Sequence, residues 1–101
     1  MCGRYTLAVQ LDEVTERFLC PKANQQMKAR YNVAPTQIMP VVLERNGQRQ
    51  LEMMQWGLVP FWAKDRSMGS KLINARLETL EEKASFKYAV RERRCLIPAD
   101  G

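Results

Sequence analysis

The sequence predicts an α+β domain of short strands, one hairpin and two or three short helices. Three observations carry that expectation. Tyr5, Leu7 and Val9 alternate with Arg4, Thr6 and Ala8, which is the two-residue period of a strand. Leu11, Val14 and Phe18 recur instead at helical spacing. Asn46-Gly47 separates two strand-like runs, and that dipeptide favours a type I′ hairpin turn because both residues tolerate positive φ.

Taken in order, the first strand is expected over 4–9. A helix follows, with Asp12 and Glu13 near its start, where the helix dipole favours acids. Pro21 is expected to end it. Residues 22–31, KANQQMKARY, are polar and basic and predict an exposed loop. In YNVAPTQ, Val33 and Pro35 favour extended chain, and Asn32 is expected to brace a turn. Residues 38–44 predict a strand, with Pro40 at an edge or bulge, and 50–56 the return strand. GLVPFWAKDRSMGS is broken by Gly57 and Pro60 and predicts a mobile or exposed loop. KLINARLETL leads from extended chain into a helical turn over 77–82. Ser85 is the expected cap of a second helix, with Phe86, Ala89, Val90 and Arg93 on one side. RRCLIP predicts a strand start, and Pro98-Ala99-Asp100-Gly101 a turn.

A chain of 101 residues suits one small domain. It contains no apolar run of ~18 residues, so no membrane span is predicted, and its start lacks a signal-peptide pattern. The expected location is the cytoplasm. The three cysteines, Cys2, Cys20 and Cys95, are widely spaced and form no CxxC, which points away from a disulfide scaffold. With no histidine and no suitable cysteine spacing, no metal site and no cofactor are expected. Sixteen Lys plus Arg against 11 Asp plus Glu give a net charge of +5, which favours a polyanionic partner without specifying one.

Cys2 is the first candidate for chemistry. An arbitrary cysteine is usually an incidental thiol, but once Met1 is removed this one carries an amine and a thiol on adjacent carbons. Such a pair condenses with an aldehyde: the amine forms an imine and the thiol closes a thiazolidine. An α-amine suits the first step because its pKa is only ~7.7–8.0. A terminal cysteine also suits an amide-cleaving enzyme. Arg4, two residues on, is expected on the same side of a strand, where it can hold an anion or simply face solvent. Asn74 and Arg76 in INAR share a face if extended, and an amide beside a guanidinium suits a phosphodiester and its sugar. Trp56, Phe61 and Trp62 form an aromatic group in sequence, open either to base stacking or to core packing. Lys64, Arg66 and Lys71 make the loop around it basic. RERR at 91–94 reads as a solvated helix end.

MCGRY, YNVAPTQ, MQWGLVPFWAKD, INARLETL and SFKYAVRERRCLIPADG occur in an order that resembles the SOS response-associated peptidase family. The resemblance runs the whole length of this chain. It implies a mixed sheet or partly open β-barrel with short flanking helices. It also implies a protein that binds single-stranded DNA and captures the aldehyde of an abasic site as a thiazolidine on the N-terminal cysteine, giving a DNA-protein crosslink. By motif, Cys2 resembles the nucleophile and Asn74 the active-site asparagine near the sugar. Arg4 and Arg76 resemble phosphate contacts. Trp56 and Pro35 resemble the wall beside the DNA, and Lys71 lies in the adjoining basic loop. A methionine aminopeptidase would suffice to expose Cys2. The family name also implies a thiol peptidase, and a purely electrostatic nucleic-acid-binding fragment is the third reading.

In the family, an aromatic run with a catalytic glutamate follows IPADG, and a histidine comes much later. This sequence contains neither. Residues 1–101 therefore read as the N-terminal half of a single domain, and as a truncated piece rather than a short natural form. Its crosslinking is expected to be slow. A strand is expected to follow the final turn, and the edge left without it would invite self-association.

Overall fold

A computed structural model describes residues 2–101. The elements are β1 (Tyr5–Leu7), α1 (Leu11–Arg17), β2 (Arg30–Val33), β3 (Ile38–Arg45), β4 (Gln48–Gln55) and α2 (Lys87–Glu92). Two 3-10 turns, Arg66–Ser70 and Leu77–Thr79, lie between β4 and α2. The class is α+β, as expected. β1 pairs antiparallel with β2, and β3 with β4, and the two small sheets stay open rather than closing into a barrel.

The β3–β4 hairpin follows directly from its sequence. Asn46 and Gly47 take φ of 52° and 79°, so both central residues have the positive φ of a type I′ turn. Register then runs unbroken from Arg45↔Gln48 to Ile38↔Gln55. Pro40 is fully buried in this hairpin yet leaves no ladder bond unmade. Val42, two residues on and of the same parity, directs its N–H away from β4 to the Leu96 carbonyl, so position 40 also faces away from β4.

Leu7, Val14, Val33, Met39 and Val42 form the core, with Tyr5, Phe18, Leu51 and Trp56 packed against it. Each such aliphatic side chain contributes roughly 1.5–3 kcal/mol when fully buried. The core also explains α1. Seven residues are too few for a helix to persist alone, but Leu11, Val14 and Thr15 are buried. The helix stops before Pro21. Leu19 turns left-handed at φ 56°, and Arg49 from β4 donates to the Phe18 carbonyl at 3.1 Å.

Several local expectations are corrected. Arg30 and Tyr31 belong to β2 and not to the preceding loop. The turn after β2 is braced by Gln37, whose Oε1 accepts from Ala34 N at 3.1 Å and Arg30 at 2.5 Å. Asn32 instead accepts from Arg4. The loop after β4 is largely exposed, as expected, but contains a 3-10 turn: Asp65 caps Arg66–Ser70, and Gly69 is buried. Gly57, at φ 124°, lies so close to it that a Cβ there would overlap the Gly69 carbonyl oxygen. Phe86, not Ser85, occupies the N-cap of α2, without a side-chain cap bond.

The last residues are the main surprise. RRCLIP makes one bridge, Leu96 with Val42, rather than a strand. Four residues later, Asp100 N donates to Thr6 O at 3.0 Å and Thr6 N to Gly101 O at 2.8 Å. Residues 96–101 therefore run from β3 of one sheet to β1 of the other and tie the sheets together. The final segment covers the free side of β1 instead of leaving it open. Among the described residues, the outer edges of β2 and β4 carry no further strand.

Candidate functional site

Trp56, at the exit of β4, organises the site. Its backbone pairs with the turn after β2: Thr36 N donates to Trp56 O at 2.9 Å and Trp56 N to Gln37 O at 3.0 Å. Its ring stacks at a tilt on Tyr5 of β1, with centroids 5.7 Å apart. Its indole Nε1 donates to the Ile73 carbonyl at 3.0 Å. That bond anchors INAR, which has no partner strand to anchor it. The next residue, half-buried Asn74, donates from Nδ2 to the Cys2 carbonyl at 2.8 Å. A chain of contacts thus connects β4 to the N-terminal cysteine.

Cys2 is an exposed free thiol. Asn74 fixes its carbonyl and leaves the side chain open to solvent. The expected removal of Met1 concerns a residue outside the described ones. Cys2, Gly3 and Arg4 precede β1 and are not part of a strand, so the alternation expected to place Arg4 beside Cys2 does not operate there. Exposed Arg4 is oriented by its hydrogen bond to Asn32 Oδ1 at 3.1 Å. A guanidinium has five donors, so this bond occupies one and leaves the fork able to grip an anion.

The remaining candidates are more dispersed. Pro35 is half-buried in the turn that pairs with Trp56. Arg76 and Lys71 are exposed, Arg76 just before the 3-10 turn Leu77–Thr79 and Lys71 just after the one at Arg66–Ser70. Trp56, Phe61 and Trp62 do not make one aromatic cluster. Trp56 packs on Tyr5, while Phe61 meets Tyr88 of α2 edge-on at 5.9 Å. Arg94 donates to the Val90 carbonyl at 2.6 Å, which supports reading RERR as a helix end. Among the described residues no group of three or more His, Cys, Asp or Glu is placed to hold a metal ion.

Three supporting residues escaped sequence reasoning. Tyr5 was only an apolar strand position, yet its ring meets Trp56. Burial pushes its hydroxyl pKa up, partly offset by the Arg30 cation. Gln37 carried no signal beyond its place in YNVAPTQ. Asp100 looked like a turn residue, but its carboxylate accepts from Thr6 Oγ1 at 2.6 Å, Ala8 N at 2.7 Å and Val9 N at 3.1 Å. These bonds, the Thr6 side-chain bond first, hold its carboxyl below the usual value.

The sequence profile described as "SOS response associated peptidase (SRAP)" matches residues 1–101. The chain is 42% identical over 102 residues to Abasic site processing protein YoqW of Bacillus subtilis, covering 99% of this chain and 46% of that protein. It is 41% identical over 104 residues to YoaM of the same organism, with 99% and 45% covered. Rat abasic site processing protein HMCES is 34% identical over 125 residues, covering all of this chain and 35% of its own. The chain spans about half the length of the bacterial relatives it matches.

Proposed function

The chain belongs to the SOS response associated peptidase family, and on that premise we propose that it binds single-stranded DNA and captures the aldehyde of an abasic site on Cys2. One observation carries the assignment to these residues: Asn74 holds the Cys2 carbonyl at 2.8 Å while the thiol stays exposed. The hydrogen bond restrains the Cα that bears the amine and, through Cβ, the thiol, so both meet the substrate in a limited set of orientations.

The chemistry balances without a cofactor. Once an aminopeptidase removes Met1, the Cys2 amine adds to the open-chain sugar aldehyde and one water leaves, giving an imine. The Cys2 sulfur then adds to the imine carbon and its proton passes to nitrogen, which closes the five-membered ring. Arg4, Arg76 and Lys71 bind phosphates. Trp56 and Pro35 line the wall beside the strand. Residues 1–101 supply the amine, the thiol and their positioning. A cytoplasmic location beside DNA fits such a substrate. No helix among the described residues is long and apolar enough to cross a membrane.

The test is a denaturing gel after incubation with abasic single-stranded DNA, using protein whose intact mass establishes Cys2 as the first residue. A shifted band is expected with the wild type and none with Cys2→Ala. A band that survives Cys2→Ala would overturn the proposal. Binding that ignores Cys2 and collapses with salt would leave only the electrostatic reading.

A further inference from the structure

The Asp100 carboxylate spans the two ends of the described chain. Oδ1 accepts from Thr6 Oγ1 at 2.6 Å, and Oδ2 accepts from Ala8 N at 2.7 Å and Val9 N at 3.1 Å. Ala8 and Val9 lie beyond β1 and before α1. Their N–H groups have left the ladder, and a single carboxylate oxygen gathers both. The backbone reinforces the grip through Asp100 N to Thr6 O and Thr6 N to Gly101 O. The approach is close enough that a Cβ at Gly101 would come within 2.6 Å of Thr6 Oγ1.

β1 is only three residues long, and its pairing with β2 slips between Tyr5 and Leu7. Such a strand is a weak foundation for a nucleophile that must be placed within a fraction of an ångström. Asp100 supplies what the ladder lacks. With β2 on one side and Asp100-Gly101 on the other, β1 is fixed along both edges. Only Cys2, Gly3 and Arg4 then separate that fixed strand from the reacting terminus. Asn74 holds the near end of this tripeptide through the Cys2 carbonyl, and the clamped strand holds the far end.

We infer that Asp100 is a positioning residue for capture at Cys2, acting through β1 by binding the Thr6 hydroxyl and the Ala8 and Val9 amides. The inference rests on the proposed abasic-site chemistry for its rate consequence, but not for the clamp itself. The Asp100 side chain bonds to Thr6, Ala8 and Val9 and not to Cys2. It sets where Cys2 sits.

Asp100→Asn keeps the size of the side chain while replacing one acceptor oxygen with a donor. Two readouts are expected to move. The crosslinking rate at saturating abasic single-stranded DNA falls about tenfold or more, while affinity for undamaged single-stranded DNA stays within about twofold, the pattern of lost positioning rather than lost binding. Amide exchange speeds up at Thr6, Ala8 and Val9 and spreads to the tripeptide ahead of β1, while β3 and β4 stay protected. Thr6→Val, which removes a single hydroxyl, gives a smaller change in the same direction and decides the matter if Asp100→Asn does not fold. An unchanged rate in a folded Asp100→Asn or Thr6→Val protein overturns the inference, as does exchange that is unaltered at these amides. Wild-type protein that never crosslinks overturns the proposed function instead, and the exchange measurement alone then decides the clamp.

Discussion

In the β3–β4 hairpin, eight residues pair with eight in unbroken register around a two-residue turn. Residues 2–7 contain a three-residue strand with slipped pairing. They are secured mainly by side chains distant in sequence: Asn32 lies 28 positions from Arg4, Asn74 is 72 from Cys2, and Asp100 is 94 from Thr6. The hairpin's bonds are local, repetitive and mutually supporting. Those of the N-terminal segment are few and individually replaceable. Stability and placement are therefore lodged in different parts of the molecule. Cys2 belongs to the part held by these single side-chain bonds.

The sharpest challenge to this division is a change in the hairpin's buried face. Met39 is 2% exposed within the core. Met39→Ala should cost about 2–5 kcal/mol, read as a clear drop in the chemical or thermal unfolding midpoint. Under conditions where the variant remains folded, its crosslinking rate should match the wild type, and a large rate loss there would erase the distinction. The converse change is Asn74→Ala. It removes the exposed hydrogen bond to the Cys2 carbonyl, so capture should slow about tenfold, equivalent to ~1.4 kcal/mol in the barrier, while the unfolding midpoint barely moves. A matching loss of stability would mean that the site is part of the scaffold after all.

Acid gives the smallest and most selective effect. The Asp100 carboxyl is held below its ordinary 3.8 by the Thr6 side chain and then the Ala8 amide. A depressed carboxylate contributes stability that is present above its unfolded pKa and lost as pH falls through the folded one. Hydrogen exchange at Thr6, Ala8 and Val9 should thus stay slow through the ordinary carboxylate range and quicken only below it. Glu52 in the hairpin is likewise lowered by its hydrogen bond to Arg45, but that pair is exposed, and its loss leaves the ladder intact. Hairpin amides should therefore remain protected after the N-terminal ones have opened. Simultaneous loss would contradict the comparison.

The same contrast governs what the sequence could reveal. The hairpin was legible because alternation and Asn46-Gly47 are local signals with local consequences. Cys2 stood out by position, and Asn74 and Arg4 by motif. The bonds that join them were not legible. Nothing near Asp100 announces that its partners are Thr6, Ala8 and Val9, since Asp before Gly is ordinary turn chemistry. Arg30 and Tyr31 looked like loop because their neighbours are polar, whereas their strand exists by pairing with β1 across a long gap. Trp56 was recognised as a candidate wall residue. Its second use, gripping Ile73 through the indole, depends on a fold that periodicity cannot convey.

The 94-residue separation between Thr6 and Asp100 also sets an order in time. A hairpin with a two-residue turn closes in ~1–10 μs, so β3 and β4 can pair as soon as both have left the ribosome. Thr6 has to wait for Asp100. At ~5–20 residues per second of synthesis, that interval is on the order of ten seconds. Throughout it the first residues lack their latch, so the proposed removal of Met1 would not have to compete with the closed clamp. The start of the chain is thus made and exposed during translation, before the segment that clamps β1 exists.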